Sequence, residues 1–307
     1  MAVETLAAFL EAARARIDQA LDRYLPSVPA CPPMVAEAMR YSVFAGGKRL
    51  RPILTLAAAD AVARSVVDLA LPAACAIELI HTYSLIHDDL PAMDNDTLRR
   101  GRPTLHVVYG DGIAVLVGDG LHAEAFTLLA REPVSDDPAV IARKLRVIRV
   151  IGEAAGAAGM VGGQAIDLQA AGRAPGVRLH VDADGLRAMH AKKTGALIRA
   201  AATSGAVMAG AADDVVAAIE RYAIDLGLAF QIVDDILDVE GDASALGKTT
   251  GKDAAEAKPT YPAIFGLDRS RGLAAECIAR ARQTLADSQL TESWLAAIAD
   301  WVVSRKN

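Results

Sequence analysis

The chain has 307 residues, of which 53% are hydrophobic and only 4% aromatic, and its formal net charge at pH 7 is −6. This length and apolar content are ample for a large buried core, and the dominance of small and aliphatic residues favours close-packed helices. The negative charge excludes a general nucleic-acid-binding surface, which requires a basic stripe. Three widely spaced cysteines predict reduced thiols and no metal site: Cys31, Cys75 and Cys277.

The sequence predicts neither a signal peptide nor a membrane span. The N-terminal stretch MAVETLAAFLEAARARID has the pattern of an amphipathic helix, with no basic region before an apolar core. The most membrane-like window, residues 195–212, contains Arg199, Thr203 and Ser204 among many small residues. Such a composition suits a helix buried in protein better than one in lipid. The expectation is a soluble, cytoplasmic protein.

Apolar residues at helical spacing predict helices along almost the whole chain. In chain order they cover residues 4–25, 34–44, 53–64, 68–90, 111–131, 139–152, 153–170, 182–209, 212–239, 260–267, 270–288 and 291–305. Sustained two-residue alternation, hairpin signals and a fixed-period repeat are all absent from the sequence. We therefore predict an all-α helical bundle around a central cavity, formed by a single domain over residues 1–307.

The first of two aspartate clusters follows the long apolar helix and contains Asp88, Asp89 and Asp94. On an unbroken helix Asp88 and Asp94 would lie about 120° apart and could not face the same point. Pro91 disfavours helical geometry at the residue before it and can end the helix there. We therefore expect Asp94 to turn back from a loop towards Asp88.

The second cluster lies about half the chain later and contains Asp234, Asp235 and Asp238. Asp234 and Asp238 are four residues apart and share one helix face. Carboxylates around one cavity repel one another, and Mg²⁺ relieves this repulsion because it takes oxygen ligands and is completed by substrate phosphates. Solvated helix faces are the alternative, but they do not explain two clusters that each end an apolar helix. The clusters predict a site for several divalent cations and a polyphosphate.

A polyphosphate also requires cationic partners from the protein. Basic residues at glycine-marked helix ends, or in loops near the clusters, are Lys48, Arg51, Arg99, Arg100, Lys192, Lys193, Lys248 and Lys258. Taken singly, each has the alternative of an ordinary surface charge. His81 lies seven residues before Asp88 on nearly the same helix face. It is a candidate to face phosphate, with a satisfied core histidine as the alternative.

No nucleophile–base arrangement and no P-loop stands out in the sequence. The residues resemble the trans-prenyltransferases, or isoprenyl diphosphate synthases, of the bacterial farnesyl diphosphate synthase type. The matching segments run in the family's order and are GGKRLRP (46–52), HTYSLIHDDLPAMDNDTLRRGRPTLH (81–106), GMVGGQAIDL (159–168), KTGALIRAA (193–201) and FQIVDDILDVEGDASALGKTTGKDAAEAKPTYP (230–262).

The resemblance implies an all-α homodimer that joins isopentenyl diphosphate head to tail with dimethylallyl diphosphate and then geranyl diphosphate. The main product would be farnesyl diphosphate. The expected base for the proton lost in each condensation is the released pyrophosphate. By resemblance, three Mg²⁺ ions are bound by Asp88, Asp94 and Asp234, with support from Asp89, Asp235 and Asp238. The implied allylic diphosphate ligands are Arg99, Lys193, Thr194, Gln231 and Lys248, and those of isopentenyl diphosphate are Lys48, Arg51, His81 and Arg100; Lys258 is a further substrate-binding candidate.

In this family, the residues four and five positions before the first motif control product length, and here they are Ser84 and Tyr83. On the helix, Ser84 lies about 40° from Asp88 and Tyr83 about 140° away. An aromatic residue at the position of Tyr83 resembles enzymes that make the C15 product. A C20 product, geranylgeranyl diphosphate, is the alternative.

Two more distant alternatives are a class I terpene cyclase and a non-catalytic subunit of a heteromeric synthase. A cyclase normally carries a different second acid motif, and a silent subunit usually lacks one motif, whereas both motifs are intact here. The C-terminal residues Arg305, Lys306 and Asn307 are predicted to form a frayed, solvated end, with a basic flap over the isopentenyl diphosphate as the alternative.

Overall fold

A computed structural model describes residues 5–176, 178–240 and 260–305 of the chain. Its α-helices in these residues are α1 (Leu6–Tyr24), α2 (Pro33–Val43), α3 (Leu50–Val62), α4 (Leu71–Asp88), α5 (Leu105–Tyr109), α6 (Asp111–Arg131), α7 (Pro138–Ala155), α8 (Met160–Ala170), α9 (Ala183–His190), α10 (Ala196–Met208), α11 (Asp213–Glu240), α12 (Tyr261–Phe265), α13 (Leu267–Asp287) and α14 (Trp294–Ser304). A 3₁₀ segment, Arg64–Ala70, leads into α4, and a π-helical turn, Ala191–Gly195, joins α9 to α10. The predicted all-α architecture is confirmed.

Helix α10 lies at the centre of the bundle. Nearly all of its residues are buried, and it packs against α3, α4, α7 and α11. A helix that is apolar on every side must be surrounded by other elements. The buried core extends from Ala13 on α1 to Val302 on α14. That residues 1–307 form one domain remains a prediction.

The structure departs from the predicted helices at points where the chain bends. Residues 182–209 do not form one helix, because the π-helical turn interrupts them. Helix α8 begins only at Met160, after a glycine-containing loop over residues 156–159, since glycine disfavours helix interiors. The short helix α5 was not predicted.

A two-residue antiparallel ribbon joins α4 to α5, with β1 (Leu98–Arg99) paired to β2 (Arg102–Pro103). Its turn residues Arg100 and Gly101 have φ angles of 54° and 74°, the positive values that a tight type I′ hairpin turn requires. The expectation of no hairpin is therefore wrong at this point. The sequence hides the turn because arginine replaces the usual Asn or Asp before glycine.

Two helical segments in the described residues are long and apolar enough to cross a membrane by length and composition, Arg64–Asp88 and Asp111–Arg131. The most apolar window of the first is 78% buried and that of the second 39% buried. Buried core helices pass the same test, so these segments do not by themselves indicate a membrane protein. The window at residues 195–212 is not a candidate, because α10 ends at Met208 after 13 residues.

Candidate active site

The turn after α4 brings the first acid cluster together. Helix α4 ends at Asp88, and the backbone N–H of Asp94 donates to the carbonyl of Asp88 at 2.8 Å. The next bond, from the N–H of Asp96 to the carbonyl of Asp89, is 3.1 Å long. The predicted return of Asp94 towards Asp88 is thus confirmed. The chain turns at Pro91, as the disfavoured helical geometry before a proline requires.

Asp88 is held by side chains from α8 and the π-helical turn. The amide nitrogen of Gln164 donates to its Oδ1 at 2.7 Å, and Lys193 Nζ lies 3.6 Å from its Oδ2. Lys193 also donates to Asp167 at 2.5 Å. Burial alone would lower the pKa of Lys193, but the charges of Asp88, Asp167 and Asp94 raise it above its ordinary value. Lys193 is therefore a fixed cation beside the first acid cluster.

Gln164 and Asp167 were not predicted as site residues. Both lie in the GMVGGQAIDL segment, three positions apart and on one helix face. That spacing was a usable signal, but only the packing of α8 against the π-helical turn indicates their partners.

Asp94 and Asp89 each pair with an arginine. Arg173 Nη1 donates to Asp94 at 2.6 Å and to the carbonyl of Met93 at 2.7 Å. Arg99 Nε lies 2.8 and 2.9 Å from the two oxygens of Asp89, which is buried. Burial raises the pKa of Asp89, against the opposing effect of Arg99. Asp89 therefore orients Arg99. Arg173 was not predicted as a site residue, because it lies in a polar loop that contains no recognisable motif.

The second acid cluster lies near the end of α11. Arg305 Nη2 donates to Asp234 at 2.6 Å and to the carbonyl of Phe230 at 2.9 Å, and its guanidinium stands 4.0 Å from the centre of the Phe230 ring. The predicted solvated end is therefore wrong for Arg305, whose side chain is buried by these contacts. Lys306 and Asn307 lie outside the described residues.

Asp235 points into the protein and supports its neighbours. It accepts from the amide of Gln231 at 2.9 Å and from the backbone N–H of Tyr261 at 3.0 Å. It thereby orients Gln231 and joins α11 to α12. Asp238 is half-buried, one turn after Asp234.

The π-helical turn carries Lys193 and the half-buried Thr194. A Cβ on Gly163 would overlap the backbone nitrogen of Lys193, so glycine is needed for this close approach of α8. Lys192 donates to the carbonyl of Ala158 at 2.7 Å, a bond that ties it to the loop before α8. Single π-helical turns are frequent at functional sites.

A basic pocket, which we define by Lys48, Arg51, His81 and Arg100, includes a residue of α4, since His81 lies two turns before Asp88 on that helix. Arg100 donates to the carbonyl of Gly46, and a Cβ on Gly47 would collide with its guanidinium. The glycine pair therefore brings Arg100 against the loop that carries Lys48. Arg51 Nε is buried and has no hydrogen-bond partner among the described residues.

The charges of the basic pocket act on one another and on Asp234. Burial lowers the pKa of Arg51, while Glu78 and Asp234 oppose this and Arg100 adds to it. The pKa of His81 lies well below its ordinary value because the ring is buried and surrounded by Arg51, Arg100 and Arg99. His81 is thus neutral, and Asp234 is near enough to Arg51 to link the pocket with the second acid cluster.

The two residues expected to control chain length face different directions. The ring of Tyr83 lies 4.8 Å from that of His122 on α6 and 5.7 Å from that of His87, measured between centroids. Ser84 donates to the carbonyl of His81 at 2.8 Å. The phenol therefore packs at the α4–α6 interface, off the helix face that ends in Asp88.

The described residues fit magnesium in combination with a phosphate ligand. No group of three or more His, Cys, Asp or Glu side chains within the described ranges could hold a metal ion by itself. Mg²⁺ is commonly bound by one or two carboxylates together with waters and substrate phosphates, and Asp88 and Asp94 offer such oxygens side by side. Lys248 and Lys258 lie outside the described residues.

The low pKa of His81 predicts a measurable pH dependence. In the unfolded chain His81 takes a proton near its ordinary pKa of about 6.5, whereas the folded protein resists protonation. Stability should therefore fall as the pH drops below that value, by up to about 1.4 kcal/mol per pH unit.

His81→Gln should remove this contribution, and its free energy of unfolding should decline less between pH 7 and pH 5 than that of the unchanged protein. Urea unfolding at each pH gives the comparison. Equal declines in the two proteins would contradict a neutral, buried His81.

Comparison with known proteins supports the family resemblance that the sequence motifs indicate. The polyprenyl synthetase family model matches residues 32–294. The farnesyl diphosphate synthase of Escherichia coli (strain K12) is 46% identical over 301 residues, covering 96% of this chain and 97% of that protein. A geranylgeranyl diphosphate synthase of Cyanophora paradoxa is 43% identical, covering 90% of this chain and 89% of that protein.

A solved structure shares the fold over nearly the full length. It is a geranyltransferase from Helicobacter pylori complexed with magnesium and isoprenyl diphosphate, with a TM-score of 0.82 and 30% identity, covering 99% of this chain and 97% of that chain. The resemblance drawn from the sequence motifs is therefore confirmed. The chain belongs to the polyprenyl synthetase family and is a prenyltransferase.

Proposed function

We propose that this prenyltransferase condenses isopentenyl diphosphate with dimethylallyl diphosphate and then geranyl diphosphate, giving mainly farnesyl diphosphate and pyrophosphate. The observation that carries the proposal is that one bundle holds two separate clusters of charged side chains, each suited to a diphosphate. One combines Asp88 and Asp94 with Lys193, and the other is the basic pocket around Arg51. A reaction that joins two diphosphate esters needs both.

The allylic diphosphate would lie between the acid clusters. We assign Lys193, Thr194, Gln231 and Arg99 to its oxygens, with Lys248 as a further ligand predicted from the sequence. Buried arginine and lysine at fixed positions stabilise the charge that develops on a departing pyrophosphate. The bonds of Asp167 to Lys193, Asp89 to Arg99 and Asp235 to Gln231 support this, because they hold each ligand in one orientation.

Magnesium is the proposed cofactor, with three ions bound through Asp88, Asp94 and Asp234 and supported by Asp89, Asp235 and Asp238. The magnesium in the H. pylori structure supports the metal's identity, and the oxygen donors described above support the fit. When bound, the ions would neutralise the diphosphate and assist breakage of the C–O bond. Gln164 and Lys193 hold the Asp88 carboxylate in position for this role.

Isopentenyl diphosphate would lie in the basic pocket, held by Lys48, Arg51, His81 and Arg100, with Lys258 as a predicted additional ligand. The buried Nε of Arg51, which has no hydrogen-bond partner among the described residues, supports a ligand at this position. A neutral His81 can donate one hydrogen bond to phosphate without adding charge. As the allylic C–O bond breaks, the isopentenyl double bond forms the new C–C bond, and released pyrophosphate accepts the proton that is lost.

A homodimer is part of the proposal, and an apolar surface supports it. Leu116 on α6 and Leu145 on α7 are 60% and 64% exposed, and Val107 and Val108 on the adjacent α5 are also exposed. Exposed apolar side chains on helices that pack against one another are candidates for a subunit interface. We also propose that the enzyme is cytoplasmic, which the burial of the apolar segment Arg64–Asp88 supports.

The direct test of the function is to incubate the pure protein with Mg²⁺, isopentenyl diphosphate and dimethylallyl diphosphate and to measure product length by chromatography. We expect mainly the C15 diphosphate and one pyrophosphate for each condensation. With geranyl or farnesyl diphosphate as the sole substrate, a cyclised hydrocarbon would indicate a terpene cyclase, and no product in either assay would indicate a non-catalytic subunit. Either result would refute the proposal.

The chain-length proposal gives a second test, on Tyr83. Removing its ring opens space at the α4–α6 interface, so Tyr83→Ala should lengthen the main product by at least one isoprene unit. Tyr109→Ala is the matched control, because Tyr109 of α5 makes an edge-to-face contact with Tyr41 of α2, and it should leave product length unchanged. An unaltered product spectrum in Tyr83→Ala would remove the role of Tyr83 and leave the C20 alternative open.

A further inference from the structure

Arg49, inside the GGKRLRP segment, is a buried arginine with an uncommon backbone. It directly precedes α3, and its φ angle of 52° lies in the left-handed region. Non-glycine residues adopt this region rarely, and they persist there when surrounding contacts hold them. The Arg49 side chain is only 3% exposed. A buried charge in a strained backbone position requires an explanation.

The guanidinium of Arg49 binds three different helices. Its Nε donates to Asp18 of α1 at 2.9 Å, its Nη1 donates to Glu78 of α4 at 2.7 Å, and its Nη2 donates to the carbonyl of Val43 at the end of α2 at 2.6 Å. Glu78 is itself 4% exposed. The planar arginine fork suits such fixed, multiple bonds in a way that lysine does not. Arg49 therefore fixes the loop between α2 and α3 against α1 and α4.

The contact also has an electrostatic effect on the neighbouring arginines. Burial alone would lower the pKa of Arg49, but Glu78 and Asp18 raise it above its ordinary value. The same Glu78 carboxylate acts on Arg51 and Arg100, opposing the effect of burial on both. It lies one helical turn before His81 on α4. Glu78 is thus a counter-charge beneath the basic pocket, out of reach of solvent.

We propose that Arg49 and Glu78 are positioning residues for isopentenyl diphosphate: together they hold Lys48 and Arg51 in binding geometry before the ligand arrives. Neither residue touches the substrate. Lys48 is the preceding residue in the chain, and Arg51 lies in the first turn of the helix that Arg49 precedes. The left-handed backbone of Arg49 sets the direction of the chain between them. This inference rests on the proposed function, since it presumes that the basic pocket binds isopentenyl diphosphate.

Arg49→Lys keeps the charge but cannot make all three bonds, so it should raise the KM for isopentenyl diphosphate about tenfold, since small misplacements of binding groups are costly. The KM for geranyl diphosphate, which binds at the acid clusters, should stay within about twofold. Calorimetric titration with isopentenyl diphosphate should show the same loss of affinity. Tyr222→Phe is the matched control: it removes a buried hydrogen bond from α11 to the carbonyl of Leu295 on α14, which involves no residue of the pocket, and should change neither KM.

A double variant separates positioning from stability. The comparison is between Arg49→Met and Arg49→Met/Glu78→Met, in which an apolar pair replaces the buried ion pair and can restore stability. We expect the double variant to recover Tm while keeping the raised KM for isopentenyl diphosphate. Recovery of both Tm and KM would overturn the proposal, as would an unchanged KM in Arg49→Lys.

The proposed function is tested separately by Lys48→Ala and Arg51→Ala. Both should weaken the calorimetric binding of isopentenyl diphosphate. If they do and Arg49→Lys does not, the positioning inference alone fails. If neither does, the assignment of the basic pocket fails, and the inference fails with it.

Discussion

Carboxylates that lie close together repel one another, and cationic side chains of the protein offset this repulsion. Each aspartate proposed to bind magnesium is paired with a cation from another element: Asp88 with Lys193, Asp94 with Arg173, and Asp234 with Arg305. The cations come from the π-helical turn, the loop after α8 and the end of α14. The arrangement of distant parts of the chain around α4 and α11 thus depends on these pairs.

The basic pocket has the opposite imbalance of charge. Arg51 and Arg100 would repel one another, and the buried carboxylate of Glu78 acts on both. His81 adds no charge because burial, reinforced by its arginine neighbours, holds its pKa low. Helix α4 therefore carries two kinds of acid. Glu78 balances the charge of the basic pocket, whereas Asp88 at the end of the helix is itself balanced by a cation, Lys193. The proposed sites for the two diphosphates therefore both include residues of α4.

The sequence predicts much of this architecture because its signals are local. Helical periodicity indicated the bundle, and Pro91 indicated the return of Asp94, which follows from the geometry of a single peptide unit. The resemblance indicated which aspartates and basic residues gather. Each of these features can be predicted from residues that are neighbours in the sequence, or from motifs that follow one another in a known order.

The features that the sequence did not reveal depend on contacts between distant elements. Gln164 and Arg173 acquire their roles only when α8 and its following loop pack against the end of α4. The C-terminal Arg305 looked solvated because Phe230 and Asp234, which bury it, are some 70 residues earlier in the chain. The π-helical turn was hidden because the apolar pattern continues through it.

Calorimetric titration with inorganic pyrophosphate, with and without Mg²⁺, measures whether the paired aspartates form a magnesium-dependent diphosphate site. We expect tight binding only with Mg²⁺, and loss of this metal-dependent binding in Asp88→Asn and in Asp234→Asn. Tight binding of pyrophosphate without Mg²⁺, or metal-dependent binding that survives both substitutions, would contradict it.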